Sequence, residues 1–383
     1  RRPLAQALAT AKPKLERAVE LSPGLADPYA VEGLMFLLQN ETVPAERALS
    51  MALDRNASHT DALNWQAINL RRAARIGEEL EARQRLARID PYSLSNAFNL
   101  AIVHILHGDQ GGARRVATQM RENFPGSPWA DVVEIEIDFR FGEIAAAYRK
   151  AQAALEAGNT AVSNSFVDIL MAIGETERAV DVTGSEFNMS LMARGKTDEA
   201  VALAQQQAAA APNDRDTAHA LLYVLGLAGE YEALLDYFDN RWGSLNAFHD
   251  FFRYSESSAE IIPVALAQKA LGREDALEQT LAAWAGWLDH IDEQGLGLPY
   301  FYFNAASHAA LSGERERALS QLRQAIDRGY LIAKLPRQPQ FAALAGDPAF
   351  QELVDFSREK INAERAELAL PPLAANEQSE TKP

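Results

Sequence analysis

A 34-residue period runs through the first third of the chain. Pro23, Pro91 and Pro125 lie on one grid of that spacing, and Ala57 occupies the grid point between the first two. Each proline follows a segment whose apolar residues recur at i, i+3, i+4 and i+7, which is typical of a helix face. Proline cannot continue such a helix, but it can begin the next one. The period therefore predicts a tandem array of helix pairs, because a single pair could not bury its apolar face alone.

Small residues recur at one place in each repeat. Gly33, Ala67 and Ala101 are 34 residues apart, on the first helix of three successive pairs. A larger side chain there would hold the two helices of a pair apart. The register predicts close packing at these points, and we expect Gly33→Leu to destabilise the fold through overpacking.

Residues 12–157 resemble the tetratricopeptide repeat. That family places an aromatic residue or leucine, a Leu-Gly pair and then Tyr or Phe on the first helix, alanines around a large apolar residue on the second, and proline at the close. One unit carries these types at Tyr29, Gly33, Phe36, Ala45, Leu49 and Ala52. Ala57 stands where the closing proline is expected, and Glu79 where a small residue is expected. The resemblance implies an all-α, right-handed superhelical solenoid of helix pairs with a C-terminal capping helix.

A glycine followed by a charged residue marks turns further along the chain. These turns begin at Gly108, Gly142, Gly174, Gly195, Gly229, Gly272 and Gly313. Glycine suits the left-handed end of a helix. The uneven spacing predicts a regular array over 1–157, irregular short repeats over 158–212, longer and less regular pairs over 213–347, a capping helix over 348–370 and a disordered tail over 371–383.

Composition excludes several classes of function. The 383 residues include no cysteine, which removes disulfides, thiolate nucleophiles and cysteine metal sites. A net charge of −16 repels phosphate backbones, so we expect no nucleic acid to bind this chain. No apolar run is long enough to predict a membrane span. Arg1 stands in place of an initial Met and no signal peptide is visible, so we expect the chain to be cut from a longer protein.

Catalytic and cofactor motifs are absent from the sequence. It has no GxxxxGK[ST] loop, GxSxG elbow or HExxH pair, and GLGLPY at 295–300 lacks the third glycine of a dinucleotide fingerprint. His104 and His107 share a helix, but Asp109 is the only acid close by, so we interpret His104 as a structural histidine. We therefore expect no enzyme activity, no cofactor and no metal.

The first helices of a solenoid line the face that usually binds partners. The inward-facing candidates are Asn64, Ile68, Arg71, Arg72, Phe98, Asn99, Ile102 and Trp129, with Val132 and Glu136 continuing the series. Family members that hold a peptide carboxylate use asparagine and basic residues there, although Asn64 stands one place before the family asparagine. Arg71 and Arg72 would suit an acidic peptide. Alternatively, they remain solvated and pair with Glu78 or Glu79.

A second candidate surface is aromatic. Residues 237–303 hold 13 of the 31 aromatic residues of the chain. Such side chains are typical anchors for a peptide or a second subunit, but they also fill gaps in less regular units. Both uses stay open for Trp242, Phe248, Phe251, Phe252, Tyr254, Tyr300 and Tyr302.

These features predict a non-catalytic interaction or sensing module that binds a peptide or protein segment. The stretch 335–354 resembles the end of bacterial multi-domain regulators of the winged-helix transmembrane or nucleotide-cyclase type. That resemblance implies a regulatory arm, periplasmic if a membrane span lies upstream and cytoplasmic otherwise. The alternatives are a stand-alone cytoplasmic scaffold or assembly factor, and an enzyme with its site in the irregular region 183–258. Self-association of the chain stays open.

Overall fold

The computed structural model describes residues 4–39, 41–252, 259–331, 333, 335 and 338–373. These residues form α-helices, joined by short turns and by 3-10 segments at Thr160–Val162, Ala259–Ile261 and Pro339–Leu344, and contain no β-strand. The predicted all-α fold class is therefore confirmed. Tyr254 and the tail residues 374–383 lie outside the described residues. The chain divides into two compact units, Arg1–Gly126 (unit 1) and Ser127–Pro383 (unit 2).

Unit 1 is a regular array of helix pairs. Its helices are α1 (Leu4–Leu21), α2 (Asp27–Leu38), α3 (Thr42–Arg55), α4 (Thr60–Arg72), α5 (Ile76–Ile89), α6 (Leu94–Leu106) and α7 (Gln110–Asn123). Helix α2 packs on α3, α4 on α5 and α6 on α7. Helices α4 and α5 begin at residues 60 and 76, and α6 and α7 begin 34 residues later, at 94 and 110. The period read from the sequence is thus the period of the structure.

Small buried residues bring the helices of a pair together. Ala45 and Ala52 on α3 and Ala67 on α4 have no exposed surface. Gly33 is buried on α2, and a Cβ built there would lie 2.5 Å from the Cγ of Leu49 on α3. This separation is far below van der Waals contact, so only glycine fits at residue 33 without a shift of its neighbour.

Unit 2 is longer and less regular. Its helices are α8 (Pro128–Arg140), α9 (Ile144–Glu156), α10 (Ser163–Ala172), α11 (Thr176–Thr183), α12 (Asn188–Ala193), α13 (Thr197–Ala210), α14 (Arg215–Ala228), α15 (Tyr231–Arg241), α16 (Leu245–Phe252), α17 (Ile262–Ala270), α18 (Glu274–Glu293), α19 (Pro299–Leu311), α20 (Arg315–Asp327) and α21 (Pro348–Glu367). Helix length falls to six residues in α12 and rises to 20 in α18.

The last helix of unit 2 returns to its first helices. Helix α21 packs on α20 and also on α9. Glu364 on α21 accepts a hydrogen bond of 2.6 Å from the backbone N–H of Ala145, in the first turn of α9. Arg365 is buried, donates to the carbonyl of Ile173 at 2.5 Å, and pairs with Glu175 at 2.8 Å. The Glu364 carboxylate at the N-terminus of α9 favours the packing of α21 on α9. The buried guanidinium of Arg365 favours it as well, because its N–H groups have acceptors.

The segment between α20 and α21 makes a second return contact. The backbones of Gly142 and Gly329 touch, since a Cβ built on Gly329 would lie 2.7 Å from the Cα of Gly142. The N–H of Ala333 then donates to the carbonyl of Ala172 at 3.0 Å. The end of unit 2 therefore contacts its first helices at several points.

Candidate binding sites

The first helices of unit 1 keep apolar side chains in contact with solvent on the face predicted to be the inner one. Ile68 on α4 and Ile102 on α6 are half-buried, and so is Phe98, one turn before Ile102. Their neighbours Ala67 and Ala101 are fully buried. The first helices thus expose one side and bury the other, as a binding face requires.

The polar residues predicted on this face belong to a buried ionic network. Arg71 Nε donates to Glu79 at 2.8 Å, and Arg83 Nε donates to the other oxygen of Glu79 at 3.2 Å. Asn64 Oδ1 accepts from Arg83 at 2.7 Å. Glu79 and Arg83 have almost no exposed surface, and desolvation lowers the pKa of Arg83 despite the nearby carboxylate. A buried charge must be paired in this way, so Arg71 and Asn64 serve the fold at this point.

Of the remaining residues predicted on this face, two donate to backbone carbonyls and one is partly exposed. Arg72 donates to the backbone carbonyl of Leu37, and burial lowers the pKa of Arg72. Asn99 donates to the carbonyl of Ser95 at 2.8 Å, one turn earlier on α6. Trp129, at the start of α8 in unit 2, is 43% exposed.

Most of the predicted aromatic surface forms a packed cluster on α15 and α16. The ring of Trp242 lies 4.9 Å from that of Phe248, 5.5 Å from Phe251 and 5.6 Å from Phe252. Phe248 and Phe252 are buried, while Trp242 and Phe251 are half-buried. The cluster therefore fills space between short helices and keeps one edge in solvent. Tyr302, on α19, lies under the guanidinium of Arg328 at 4.3 Å.

A set of polar residues that the sequence only partly indicated lies at equivalent places before the turns of unit 2. Turns within the pairs contain a residue in the left-handed region, at Ala74, Gly108, Gly142, Gly174 and Gly229. The residues six places before these turns are Ile68, Ile102, Glu136, Asp168 and Tyr223. The residue six places before the turn is thus isoleucine at these two turns of unit 1 and a carboxylate or phenol group at these three turns of unit 2.

Glu136 anchors this polar interior. Its two oxygens accept a bond of 3.1 Å from Arg140 Nε and a bond of 2.6 Å from the hydroxyl of Ser165. Desolvation alone would lower the pKa of Arg140, but Glu136, Asp168 and Tyr300 together raise it. Tyr300, one of the predicted aromatic residues, thus lies within electrostatic range of the Arg140–Glu136 pair.

Asp168 is the least satisfied member of the group. Its residue surface is exposed, yet desolvation raises the pKa of Asp168 to about 6, with Arg140 opposing the shift and Glu136 adding to it. Within the part of the chain that the structure describes, its carboxylate accepts no hydrogen bond.

Two further tyrosines lie within electrostatic range of this polar group. Desolvation raises the pKa of Tyr330 and of Tyr223, although both side chains keep some solvent contact. Tyr330 packs on Phe303, with ring centres 4.6 Å apart. We define the polar cluster of unit 2 by Glu136, Arg140, Ser165, Asp168, Tyr223, Tyr300 and Tyr330. Perturbed titratable groups are more frequent at functional sites, but buried ion pairs within a fold perturb pKa values as well.

Histidine chemistry does not contribute a metal centre among the described residues. No group of three or more His, Asp or Glu side chains within them could hold a metal ion. His104 Nδ1 lies 2.8 Å from Asp109 Oδ2, and the other oxygen of Asp109 accepts from the N–H of Gly112 at 2.8 Å. His104 therefore supports the start of α7.

None of the helices in the described ranges has the length and hydropathy needed to cross a bilayer.

Comparison with known proteins gives structural neighbours only. No protein-family profile and no curated protein sequence matches the chain. The APC/C hetero-tetramer Cut9-Hcn1 aligns over 86% of this chain and 63% of its own, at 15% identity and a TM-score of 0.47. Naa15/Naa10 bound to HypK-THB aligns over 95% and 63%, at 13% identity and a TM-score of 0.32. A tetratricopeptide repeat protein from Parabacteroides merdae aligns over 87% and 98%, at 12% identity and a TM-score of 0.35.

The alignments with Cut9-Hcn1 and Naa15 thus span 63% of the length of each of those chains. At these identities and TM-scores, the similarity assigns no partner and no activity to this protein.

Proposed function

We propose that this chain is a non-catalytic module that binds a protein or peptide segment on the inner face of unit 1. The observation that carries the proposal is the half-exposure of Ile68 and Ile102, which are equivalent residues 34 places apart. Phe98 extends the same face by one helical turn. Apolar side chains repeated in solvent at the period of the fold form a strip that a partner can cover.

An acidic partner at Arg71 and Arg72 has weaker support. The guanidinium of Arg71 is already bound to the buried carboxylate of Glu79. Arg71→Ala would therefore disturb folding and binding together. Arg72→Gln removes the charge but keeps side-chain N–H donors for the carbonyl of Leu37. Selective loss of an acidic peptide in that variant, with an unchanged melting temperature, would support the acidic partner.

Site-specific crosslinking tests the inner face directly. A photoreactive phenylalanine analogue at Phe98 of the full chain should capture a partner in cells of the source organism. Capture should fall in Ile68→Glu and Ile102→Glu, because each places a charge on the apolar strip. Tyr92→Glu is the matched control, since Tyr92 is 70% exposed and lies in the turn before α6. Equal capture in all three variants would contradict the proposal.

The wider role is proposed as the regulatory arm of a bacterial signalling or transcription regulator, with a stand-alone cytoplasmic scaffold as the alternative. The gene upstream of Arg1 separates the two. A basic winged-helix pattern followed by an apolar run of about 20 residues would support the regulator and a periplasmic location. An upstream sequence without either would support the scaffold. The central region offers an enzyme no support at His249, whose ring stacks on Trp287 at 4.2 Å.

A further inference from the structure

One histidine of unit 2 is enclosed by the fold. His308 lies in the last turn of α19, and 5% of its residue surface is exposed. Its Nε2 atom donates a hydrogen bond of 3.0 Å to the backbone carbonyl of Leu281 on α18. Trp284, three residues later on α18, has no exposed surface and meets the imidazole edge to face, with ring centres 5.1 Å apart. The side chain of His308 therefore links α19 to α18.

The hydrogen bond fixes the neutral tautomer of this ring. A carbonyl oxygen can only accept, so the hydrogen of the neutral imidazole lies on Nε2 of His308. Nδ1 is buried and has no hydrogen-bond partner among the residues that the structure describes. A proton taken up at Nδ1 would therefore bury a positive charge and a second N–H group without an acceptor for that group. Both are costly, so the enclosed arrangement favours the neutral ring.

The charged groups around His308 act on its protonation in opposite directions. On one side, Arg317 of α20 disfavours an imidazolium, whereas Glu314, just before α20, and Asp289 of α18 favour one. Glu314 is itself paired with Arg317 at 3.1 Å. From α17, Lys269 brings a further positive charge to a backbone carbonyl of α19, and the last 3-10 segment has no titratable side chain. Desolvation is the largest of these effects and lowers the pKa of His308 below its ordinary 6.5.

We propose that His308 is an acid-sensitive latch between α18 and α19, closed while its imidazole is neutral and opened by protonation. In the open state the ring reaches water, which solvates both N–H groups of the imidazolium. The two helices then lose the hydrogen bond to Leu281 and the contact of the ring with Trp284. The inference concerns unit 2 and is independent of the inner face of unit 1.

Helix α18 extends the effect of the latch to α16. Trp287, three residues after Trp284, stacks on His249 of α16 with ring centres 4.2 Å apart. Helix α16 also carries three phenylalanines of the aromatic cluster. A displacement of α18 therefore removes Trp287 from the helix that holds this cluster. The latch thus couples acidification to a change on an aromatic surface, which is a packing change that a histidine switch can control.

Histidine NMR of the full chain tests the protonation step. The signals of His308 are those that disappear in His308→Gln. We expect the Nε2–H tautomer at pH 7.5 and a titration midpoint below 6.5, because the enclosed site opposes the charge. His290→Gln is the matched control, since His290 is half-buried in the last turn of α18 and faces no such restriction in its hydrogen bonds.

Amide exchange tests the opening itself. The opened imidazole has the ordinary pKa of 6.5, so it takes up a proton at pH 5 that the enclosed ring excludes. Opening of α18 and α19, corrected for the intrinsic exchange rate, should therefore increase by up to about 30-fold from pH 7.5 to pH 5, and exchange in α16 should rise with it. His308→Gln keeps an N–H donor for Leu281 but does not titrate, so the increase should disappear there and persist in His290→Gln.

Two results would overturn the latch. A midpoint of His308 at or above 6.5 would show that the enclosed site accommodates the charge. An equal increase of exchange in wild type and in His308→Gln would assign the acid response to another group, such as His249. Circular dichroism confirms that each variant is folded at pH 7.5. If His308→Gln is not, His308→Leu takes its place, because it also lacks a titrating group and should also lose the increase.

Discussion

The close approach of α2 and α3 gives the sharpest test of the repeat packing. A Cβ on Gly33 would lie 2.5 Å from the Cγ of Leu49 and 2.6 Å from its Cδ2. Nonbonded carbon atoms prefer about 3.5–4.0 Å, so Gly33→Ala requires Leu49 to shift by roughly 1 Å. Leu49 has no exposed surface, so it can move only by displacing its neighbours.

The expected loss follows from two opposing effects. Overpacking of a core costs about 1–3 kcal/mol. Alanine is favoured over glycine inside a helix by about 1 kcal/mol. The free energy of unfolding should therefore fall by about 1 kcal/mol in Gly33→Ala, and by more in Gly33→Leu.

A second glycine provides the matched control. Gly286 lies in the middle of α18, and no atom lies within 4 Å of a Cβ built on it. Gly286→Ala should therefore raise the free energy of unfolding by about 1 kcal/mol. The same substitution thus has opposite signs at two helical glycines, because only one of them faces another side chain.

Urea denaturation followed by circular dichroism measures both variants, and amide exchange in α2 and α3 assigns the Gly33 effect to unit 1. The double variant with Leu49→Ala provides a further check. Removal of the leucine side chain relieves the clash, so Gly33→Ala should be neutral or stabilising in that background. A stabilised Gly33→Ala in the wild-type background would refute the packing register described here.

Four other predictions concern individual residues. Glu79→Gln should lower the free energy of unfolding by about 3–5 kcal/mol, because it leaves the buried charge of Arg83 without a carboxylate. If urea denaturation showed that the free energy of unfolding fell by less than about 1 kcal/mol, the result would contradict the buried network. Ala74 has a φ of 54°, a left-handed conformation that is strained for a residue with a Cβ. Ala74→Gly should therefore raise the free energy of unfolding by about 1 kcal/mol, and a lower melting temperature in this variant would contradict this. The pKa of Asp168 is about 6 in the folded chain against an ordinary 3.8, so the folded state binds the proton more tightly and its stability falls as the pH rises between these values. Asp168→Asn should remove this loss of stability with rising pH. The variant should have a higher melting temperature than wild type at pH 7.5 and the same melting temperature at pH 3.5. A lower melting temperature of the variant at pH 7.5 would count against desolvation of the carboxylate. Arg365→Ala should release α21, measured as faster amide exchange in α21 and in the first turn of α9, and unchanged exchange there would show that apolar packing alone holds the helix.

The sequence was most informative where the repeat is regular. The helix starts of unit 1 follow the 34-residue period, because each pair contacts only its neighbours and its pattern is local. Even the departure at Glu79 has a local cause. A carboxylate replaces the expected small residue because Arg71 and Arg83 both bind it.

The polar cluster of unit 2 was only partly predictable. Glu136 stood on the predicted inner face and Tyr300 among the predicted aromatic residues, but Arg140 and Asp168 were missed. Counting six residues back from each turn glycine would have found Asp168. The gathering of these side chains with Tyr330 depends on the contact of Gly142 with Gly329, which are far apart in the sequence. No periodic pattern encodes such a contact.

The return of α21 to α9 has a consequence for how this chain can evolve. An array that contacts only its neighbours, as in unit 1, can gain or lose one pair by duplication or deletion of 34 residues, since the junctions stay alike. In unit 2 the same event would displace Glu364 and Arg365 from the N–H of Ala145 and the carbonyl of Ile173. Natural variation in repeat number among homologous chains is therefore expected before Gly126 and not after it.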